Sequence, residues 1–457
     1  MELWKTFAKL FGHHYSSFIV FVVSSCLFLS SMTVAWTSPV LVKLVGDQDN
    51  PLGRPISKEE CDLLGSLLFI GAAIGPLLFI GSVEEFGRKR TLLLSALILP
   101  VTFGTLAFAK RIEIYFICRL LIGFNFGVTC SVQPVYVSEI CTAKKRSVLM
   151  SFSTCFLILG SLSSYALGNF LSVVQFNSVI AIIALLFISI VAICCPESPY
   201  HVMRIEGKEK AREALRSIRQ TTDIDKELLE IIDSIENEVR TSYLEIFESM
   251  QNFKPFVIAT VLLLLQHLSG MIVLITYSQQ IFMETNVPLS PYSCSIIMTV
   301  LQLGTSFFTP VLLKCNTFSR KTLLMFTFFG LAVCNLCISG YFHFGRTLVN
   351  LNWLPLVIII MFVSVYNCGL DPIPWMLVGE IYPMNIKSVG SALSTTIFFL
   401  SSFPLLYSFN KFSIQFIFLA CGFFNIFGFF YVNYVIVNTE GKTLRQIHKG
   451  FLHPTHA

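Results

Sequence analysis

The segment EEFGRKRTLL, Glu84–Leu93, has a shorter counterpart in NTFSRKTLL, Asn316–Leu324. Each segment is a polar loop between long apolar stretches, and the two loops are six apolar stretches apart. A second pair of loops, EICTAKKRS and EIYPMNIKS, has the same separation. Corresponding loops at a fixed interval indicate an internal repeat. The sequence therefore predicts two copies of a six-helix bundle.

The composition indicates an integral membrane protein. The chain has 457 residues, of which 54% are hydrophobic and only 13% are charged, about half the charge of a soluble domain. Many apolar runs are about 20 residues long, enough for a helix to cross a hydrocarbon core of about 30 Å. Strict alternation is absent, which favours helices over barrel strands. We predict twelve spans, near residues 17–41, 62–82, 91–109, 113–137, 148–171, 177–195, 255–283, 291–313, 322–342, 352–379, 389–409 and 413–437.

The distribution of Lys and Arg predicts the orientation. An even number of spans places both termini on one side of the membrane. With the termini inside, the inner segments hold 24 of the 32 Lys and Arg, and the outer loops hold seven. Cytoplasmic loops carry such an excess of positive charge. We therefore expect both termini to be cytoplasmic.

A charged insert separates the two sets of spans. Its segments Lys208–Arg219 and Asp225–Arg240 place apolar residues at helical spacing, which predicts short cytosolic helices rather than a flexible linker. The predicted fold is an all-α membrane protein with two pseudo-symmetric six-helix bundles and a cavity between them near the middle of the membrane. The predicted division is a first bundle at 1–197, a cytosolic helical insert at 198–254, a second bundle at 255–437 and a cytosolic tail at 438–457.

Several motifs occur in an order that identifies a family. The chain has AWTSP at Ala35–Pro39, EECDLLGSLLFIG at Glu59–Gly71 and PESPY at Pro196–Tyr200, followed by QxxSG, PIPW and GKTL. Over nearly its whole length it resembles the sugar-porter branch of the major facilitator superfamily, and most closely the facilitated trehalose transporter group of arthropods. This resemblance implies the twelve-helix fold of that superfamily and sugar transport.

The resemblance also implies a network of charges on the inner face. It places the cations of the Gly87-Arg88-Lys89 turn against carboxylates and helix C-termini of a neighbouring span. Such exposed pairs rehydrate at small net cost, so they are expected to pair while the cavity faces outward and to separate when it opens inward. The alternative is that these residues only anchor the inner loops, and for Lys387 both interpretations stay open. The expected network is Arg88, Arg119, Glu139, Arg146, Glu197, Arg320, Glu380 and Lys387.

The seventh span, LLQHLSGMIVLITYSQQ, carries a predicted polar stripe that includes Gln266 and Tyr277. By resemblance, Gln266 is a sugar ligand, because amides offer donors and acceptors to hydroxyl groups; the alternative is that it bonds only between helices. Resemblance adds Gln302, and Trp375 as an apolar platform for a sugar ring. The chain departs from the family at His267 and Thr154, where glutamines are usual, and at Phe398 and Phe399. The candidate substrate-binding residues are Gln266, His267, Tyr277, Gln302, Asp371, Trp375 and Thr154.

The tenth span contains an acid beside two prolines. Pro372 and Pro374 remove backbone donors and predict a kink. Asp371 replaces the glycine of the family, and a carboxylate facing lipid is costly, so Asp371 is expected to face the cavity or a partner. We hypothesise that His267 and Asp371 contact each other; the alternative is that a water-filled cavity hydrates each of them separately.

The leading functional interpretation is a facilitative carrier of a hexose or trehalose that works by alternating access. The first span, SSCLFLSSMTVAWTSP, has no carboxylate, which favours uniport, although His267 and Asp371 leave room for proton coupling. The alternatives are a sugar sensor with little transport and a carrier of another small organic solute. No constellation for catalysis, for a metal, for a cofactor or for an ATP-driven pump is present in the sequence. The expected partners are a sugar and the lipid bilayer, without nucleic acid, and the expected state is a monomer in the plasma membrane.

Overall fold

The computed structural model describes residues 4–46, 50–219, 224–236, 245–307, 319–344, 352–382 and 386–436. Within these ranges the regular secondary structure is entirely helical. The N-terminal half contains α1 (Trp4–Phe11), α2 (Tyr15–Ala35), α3 (Thr37–Val45), α4 (Lys58–Phe86), α5 (Arg88–Ala96), α6 (Ile98–Phe108), α7 (Ile112–Ile140), α8 (Ala143–Phe170) and α9 (Val173–Cys194). The insert contains α10 (Pro199–Glu206), α11 (Lys208–Arg219), α12 (Asp225–Glu236) and α13 (Glu245–Glu248). The C-terminal half contains α14 (Met250–His267), α15 (Met271–Met283), α16 (Pro291–Ser306), α17 (Arg320–Phe344), α18 (Leu354–Val365), α19 (Ile373–Ile381), α20 (Lys387–Tyr407) and α21 (Ile414–Val435).

The long helices have the length and composition of membrane crossings. Ten such segments occur in the described part of the chain. Helix α8, with 28 residues, and α16, which ends close to the edge of a described range, stand at the other two predicted positions. Large apolar side chains such as Phe108, Phe170 and Val101 are exposed on the surface of the bundle. Such a surface is suited to lipid rather than to water.

The seventh and tenth spans are interrupted inside the bundle, whereas the first span keeps a helical backbone at Trp36, between α2 and α3. The seventh is interrupted between α14 and α15, where Gly270 has φ +105°, a backbone conformation that favours glycine. The tenth passes through a π-helical turn at Tyr366–Leu370 before α19 begins. This turn lies directly before Pro372 and Pro374, whose kink stays a prediction, and π turns often lie at functional sites.

Two equivalent lysines support the internal repeat. Lys89 Nζ, in α5, donates to the carbonyl of Ala192 at 2.8 Å, in the last turn of α9. Lys321 Nζ, in α17, donates to the carbonyl of Asn433 at 2.7 Å, in the last turn of α21. A cation at a helix C-terminus satisfies carbonyls that have no partner within the helix. The GRK and SRK loops therefore serve the same purpose in the two halves.

The insert is helical at Lys208–Arg219, as the sequence predicts, and at Asp225–Glu236, the described part of the predicted segment 225–240. Its side of the bundle is called the insert face below, and the other side the opposite face. Ile218 of α11 packs with Ala8 and Tyr15 of the N-terminal half. Arg219 Nη1 donates to the carbonyl of Ile140 at 2.6 Å, at the end of α7. These contacts attach α11 to the N-terminal half; the predicted domain boundaries stay a prediction.

Helices α4 and α7 pack with their backbones in close contact. A Cβ at Gly123 would lie 1.9 Å from the carbonyl oxygen of Leu68, and one at Gly127 would lie 2.1 Å from that of Ala72. Both glycines belong to α7, four residues apart, so they form one stripe of small residues. The two spans reach this separation only because these positions have no side chain.

We expect Gly123→Ala to lower the melting temperature of the purified protein, because the added methyl group forces the two backbones apart. Such overpacking typically costs about 1–3 kcal/mol. Gly104→Ala is the matched control, since a Cβ at Gly104 meets nothing within 4 Å. The measurement is a thermal melt of both variants in detergent. Equal melting temperatures for the two variants would contradict the close packing.

Candidate functional site

An ion pair lies at the insert face of the N-terminal half. Arg88, the first residue of α5, donates to Glu139 Oε1 from Nη2 at 2.9 Å and from Nε at 3.1 Å. Both side chains are only 11% exposed. The hydroxyl of Ser198 donates to the other oxygen of Glu139. Two sides of this carboxylate are thus occupied, and Arg88 contacts a carboxylate of another span, while the wider network stays a prediction.

Glu197 caps the start of α5. Its carboxylate accepts from the backbone N–H of Lys89 at 3.0 Å and of Arg90 at 3.3 Å. The first N–H groups of a helix have no partner within the helix, and an anion there is favourable. Gly87, with φ +90°, brings the chain close enough: a Cβ at this position would lie 2.7 Å from the Glu197 carboxylate. The motif PESP and the motif GRK therefore form one unit.

This unit joins elements of the same half, which limits its use as a latch. Arg88, Glu139 and Glu197 all precede the insert, so their contacts alone do not hold the two halves together. The side chains of Arg146, Glu380 and Lys387 lie outside the described residues. Arg320 begins α17 and is half-buried. A latch between the halves stays a prediction that involves these other residues.

The prediction that Arg119 belongs to the network at the insert face is wrong. Arg119 lies seven residues into α7 from the opposite face and is fully buried. It donates to the carbonyls of Thr33 and Leu64 at 2.9 and 3.1 Å, and to the hydroxyl of Thr37 at 2.5 Å. Its guanidinium also lies 5.2 Å from the ring centre of Trp36. Arg119 therefore joins the first, second and fourth spans beside Trp36.

Gln266 and the break of the tenth span form a polar cluster. Gln266 Nε2 donates to the main-chain carbonyl of Asp371 at 3.2 Å and lies 3.4 Å from the hydroxyl of Tyr366. Because a carbonyl only accepts, this contact fixes which end of the Gln266 amide is the nitrogen. The side chain is 2% exposed, and its Oε1 has no partner among the described residues. The amide thus offers an acceptor that the protein does not use.

The neighbours of this cluster are more open. Asp371 is half-buried, and Trp375, one turn later, is 37% exposed. The Trp375 ring packs edge-on against Phe398 with centroids 5.1 Å apart. Gln302 is half-buried; its carbonyl accepts from Asn367 Nδ2 at 2.9 Å. Thr154 is half-buried in α8, so these positions stay predicted ligands.

The hypothesised contact between His267 and Asp371 is absent. His267 Nε2 lies 2.6 Å from the hydroxyl of Ser402, in α20. Its ring centre is 3.9 Å from that of Phe398 and 6.1 Å from that of Phe69. Among the described residues, no ion pair joins the imidazole to an acid. Gln266 and His267 are adjacent on α14 but contact different spans. The amide of Gln266 bonds to the tenth span, and the imidazole of His267 bonds to α20.

Tyr277, which the sequence predicts to line the substrate site, packs instead at the opposite face. It is fully buried and stacks on Phe409 with centroids 4.0 Å apart. Its hydroxyl donates to the carbonyl of Leu406 at 3.1 Å. The predicted stripe from Gln266 to Tyr277 is not continuous, because the break at Gly270 separates α14 from α15.

Sequence reasoning missed several residues of these clusters. Tyr366 contacts Gln266, Ser402 contacts His267, and Asn367 holds the backbone of Gln302. A single serine in an apolar span, such as Ser402, is too common to indicate a polar cluster. The usable signal for the rest was the set of polar residues in Tyr366–Asp371 beside two prolines.

Comparisons with known proteins identify the family. The profile described as "Sugar (and other) transporter" matches residues 10–451. The chain belongs to this family. Its relatives include the facilitated trehalose transporter Tret1 of Polypedilum vanderplanki, 28% identical over 433 residues, which cover 92% of this chain and 84% of that protein. The mouse protein "Solute carrier family 2, facilitated glucose transporter member 6" is 28% identical over 447 residues, covering 92% and 88%.

The fold also matches solved structures. An inward open conformation of the xylose transporter XylE from E. coli has a TM-score of 0.78 at 20% identity and covers 95% of this chain and 98% of that chain. The proton:xylose symporter XylE bound to 6-bromo-6-deoxy-D-glucose has a TM-score of 0.77 at 21% identity, covering 96% and 99%. These matches confirm the predicted fold of the major facilitator superfamily, with twelve membrane helices. Members of this sugar-porter family are multi-pass transporters and not enzymes.

We expect Arg88→Gln to lower the melting temperature strongly, because it leaves Glu139 buried without its cation. Removing one partner of a buried pair typically costs about 3–5 kcal/mol. Arg90→Gln is the matched control, since the Arg90 side chain is exposed and only its backbone N–H contacts Glu197. Thermal melts of the two variants test this. Similar small shifts for both would show that the ion pair contributes little.

Proposed function

We propose that this protein is a facilitative transporter of a sugar, trehalose or a hexose, and that it works as a uniporter by alternating access. Membership of the sugar transporter family supports this proposal, as do relatives described as facilitated trehalose and glucose transporters. The observation that carries it is the polar cluster at the broken tenth span, where Gln266 has an unused acceptor.

The chemistry of this cluster suits a polyhydroxylated solute. The nitrogen of Gln266 is committed to the carbonyl of Asp371, so the amide presents only Oε1. The carboxylate of Asp371 is also an acceptor, and the two groups would accept hydrogen bonds from sugar hydroxyls. The half-exposed ring of Trp375 supplies an apolar face for the C–H groups of a sugar ring. Thr154, Gln302 and His267 are proposed as further contacts.

Alternating access requires that one face be closed at a time. On the opposite face the two halves are in contact: Ser38 Oγ lies 3.1 Å from Ser278 Oγ, and the N–H of Gln279 donates to Ser38 at 3.1 Å. We propose that the insert face is cytoplasmic, that both termini are cytoplasmic, and that the protein acts as a monomer in the plasma membrane without a nucleic-acid partner. The excess of Lys and Arg in the loops of the insert face supports this orientation.

We further propose that a latch closes the insert face when the cavity faces outward. Arg146 from the N-terminal half, and Arg320, Glu380 and Lys387 from the C-terminal half, are its candidate members. The unit of Arg88, Glu139 and Glu197 would hold the N-terminal side of this latch in position. Its contacts within one half support this role.

Uniport is supported by the surroundings of the first span. Arg119 is the cation buried against it, and its guanidinium bonds to uncharged oxygen atoms of Thr33, Thr37 and Leu64. Protonation of a carboxylate partner would be a simple way to couple proton binding to movement of these spans. Among the described residues, Arg119 has no such ion pair.

One observation favours a second candidate function. Asp371 is a half-buried acid within a span and has Trp375 as a neighbour. A carboxylate beside an aromatic ring also suits an organic cation or a bound proton. A carrier of a small cationic solute, or a proton-linked carrier, is therefore the alternative. A sugar sensor with little transport is the remaining alternative function.

We expect Gln266→Ala to reduce uptake of the transported sugar by about tenfold or more at low concentration, because an acceptor and the bond to Asp371 are both lost. Gln251→Ala, an exposed position on the same helix, is the control and should leave uptake unchanged. The assay compares hexoses, trehalose and organic cations in one preparation of vesicles. Uptake of cations alone would overturn the sugar assignment, and sugar binding without uptake would indicate a sensor.

We expect the sugar to equilibrate across the vesicle membrane without accumulating, whether or not an inward proton gradient is imposed. The physical reason is that Arg119 forms no ion pair with any described residue that could respond to protonation. The measurement is the ratio of internal to external sugar, with and without a protonophore. Uphill accumulation that the protonophore abolishes would replace uniport by proton coupling.

A further inference from the structure

A carboxylate joins the two halves at the opposite face. Asp62, in the first turns of α4, is 1% exposed. It accepts three hydrogen bonds from Asn410, which lies in the loop between α20 and α21. The backbone N–H of Asn410 lies 3.2 and 3.3 Å from the two carboxylate oxygens, and Asn410 Nδ2 lies 2.7 Å from Oδ1. The two residues are 348 positions apart, one in each half.

The contacts that Ser38 and Gly65 make with the C-terminal half at this face are uncharged. Ser38 meets Ser278 and the backbone of Gln279. Tyr277 packs against Gly65 so closely that a Cβ there would lie 2.4 Å from its hydroxyl. Hydrogen bonds to a charged group are roughly twice as strong as those between neutral groups. Among these contacts between the halves, Asp62 therefore makes the strongest bonds.

A nearby acid shows what distinguishes Asp62. Glu60 pairs with Arg54 at 2.5 Å and accepts from the N–H of Ser57 at 2.8 Å. Both partners precede α4 in the same loop, so this pair does not reach the C-terminal half. Asp62, two residues later, turns towards the other half and is buried. Glu60 thus stabilises the loop before α4, whereas Asp62 contacts the other half.

We propose that Asp62 is a gating residue that holds the opposite face closed through Asn410. Rocking of the halves separates α4 from the loop after α20, so opening this face breaks all three bonds at once. Water then solvates the carboxylate and the amide, which makes the closure reversible. This inference rests on the proposed alternating access, and it assigns to Asp62 a role in the transport cycle that does not depend on contact with the substrate.

The test uses a swap of the two groups. Asn410→Asp places two carboxylates against each other and is expected to open the face. The double variant Asp62→Asn/Asn410→Asp restores an amide opposite a carboxylate and is expected to close it again. Asp62→Asn and Asn410→Ala each weaken the contact and should open the face to a smaller extent. Glu60→Gln is the matched control and should behave as the wild type.

The readout is hydrogen exchange of the full-length protein in lipid nanodiscs. The reporter is the backbone amide of Gln279, which none of these substitutions alters and which bonds to Ser38 across the halves. We expect its exchange to be about tenfold faster or more in Asn410→Asp and to return towards the wild-type rate in the double variant. Exchange in the α11 peptide, on the insert face, should be unchanged throughout, which shows that the variants are folded.

Unchanged exchange at Gln279 in Asn410→Asp, or no recovery in the double variant, would overturn the proposal. If Asn410→Asp does not fold, the test is the smaller increase in Gln279 exchange expected in Asn410→Ala and Asp62→Asn. No increase in these two variants would equally overturn the proposal. The exchange measurement needs no substrate. A failure of the gate is therefore distinguishable from a failure of the proposed sugar transport, which the uptake assay reports.

Discussion

Backbone carbonyls released inside the bundle must find donors, because lipid offers none. The break of the seventh span frees the carbonyl of Ser269, and the amides of Asn335 and Asn425 donate to it at 2.9 and 3.1 Å. At the break of the tenth span, the amide of Gln266 donates to the carbonyl of Asp371. Each break is thus held by amide side chains from neighbouring helices. This requirement places polar groups inside an apolar bundle, and the candidate site is built from them.

Around the first span the donor inside the bundle is charged. Arg119 bonds to the carbonyl of Thr33, to the hydroxyl of Thr37 and to the carbonyl of Leu64. A guanidinium has five N–H groups and serves several oxygens at once, which suits a position where oxygen atoms of two spans lie close together. The cost of burying this cation is offset by its hydrogen bonds and by the Trp36 ring. Its role is to join three spans of the N-terminal half, as Gln266 joins the seventh and tenth spans in the other half.

Charges on the two faces of the bundle have different tasks. At the insert face, Arg88, Glu139 and Glu197 join loops of a single half and keep that half rigid. At the opposite face, Asp62 meets the other half through Asn410. A rigid half and a breakable contact between halves are both needed if the bundles rock as units. The lysines that cap α9 and α21 show that contacts within each half are made in the same way in both duplicated halves.

The sequence by itself determined the fold class, because it depends on local chemistry: apolar runs long enough to cross lipid and loops repeated six spans apart. Through the resemblance it also led us to expect the cations of the GRK turn against carboxylates of a neighbouring span. It placed Arg119 on the wrong face, paired His267 with Asp371 rather than Ser402, and put Tyr277 in the site. Helical spacing predicts a shared face only along an unbroken helix, and the positive φ of Gly270 ends that register. Which side chains meet across spans depends on how the helices pack, which only the tertiary structure decides.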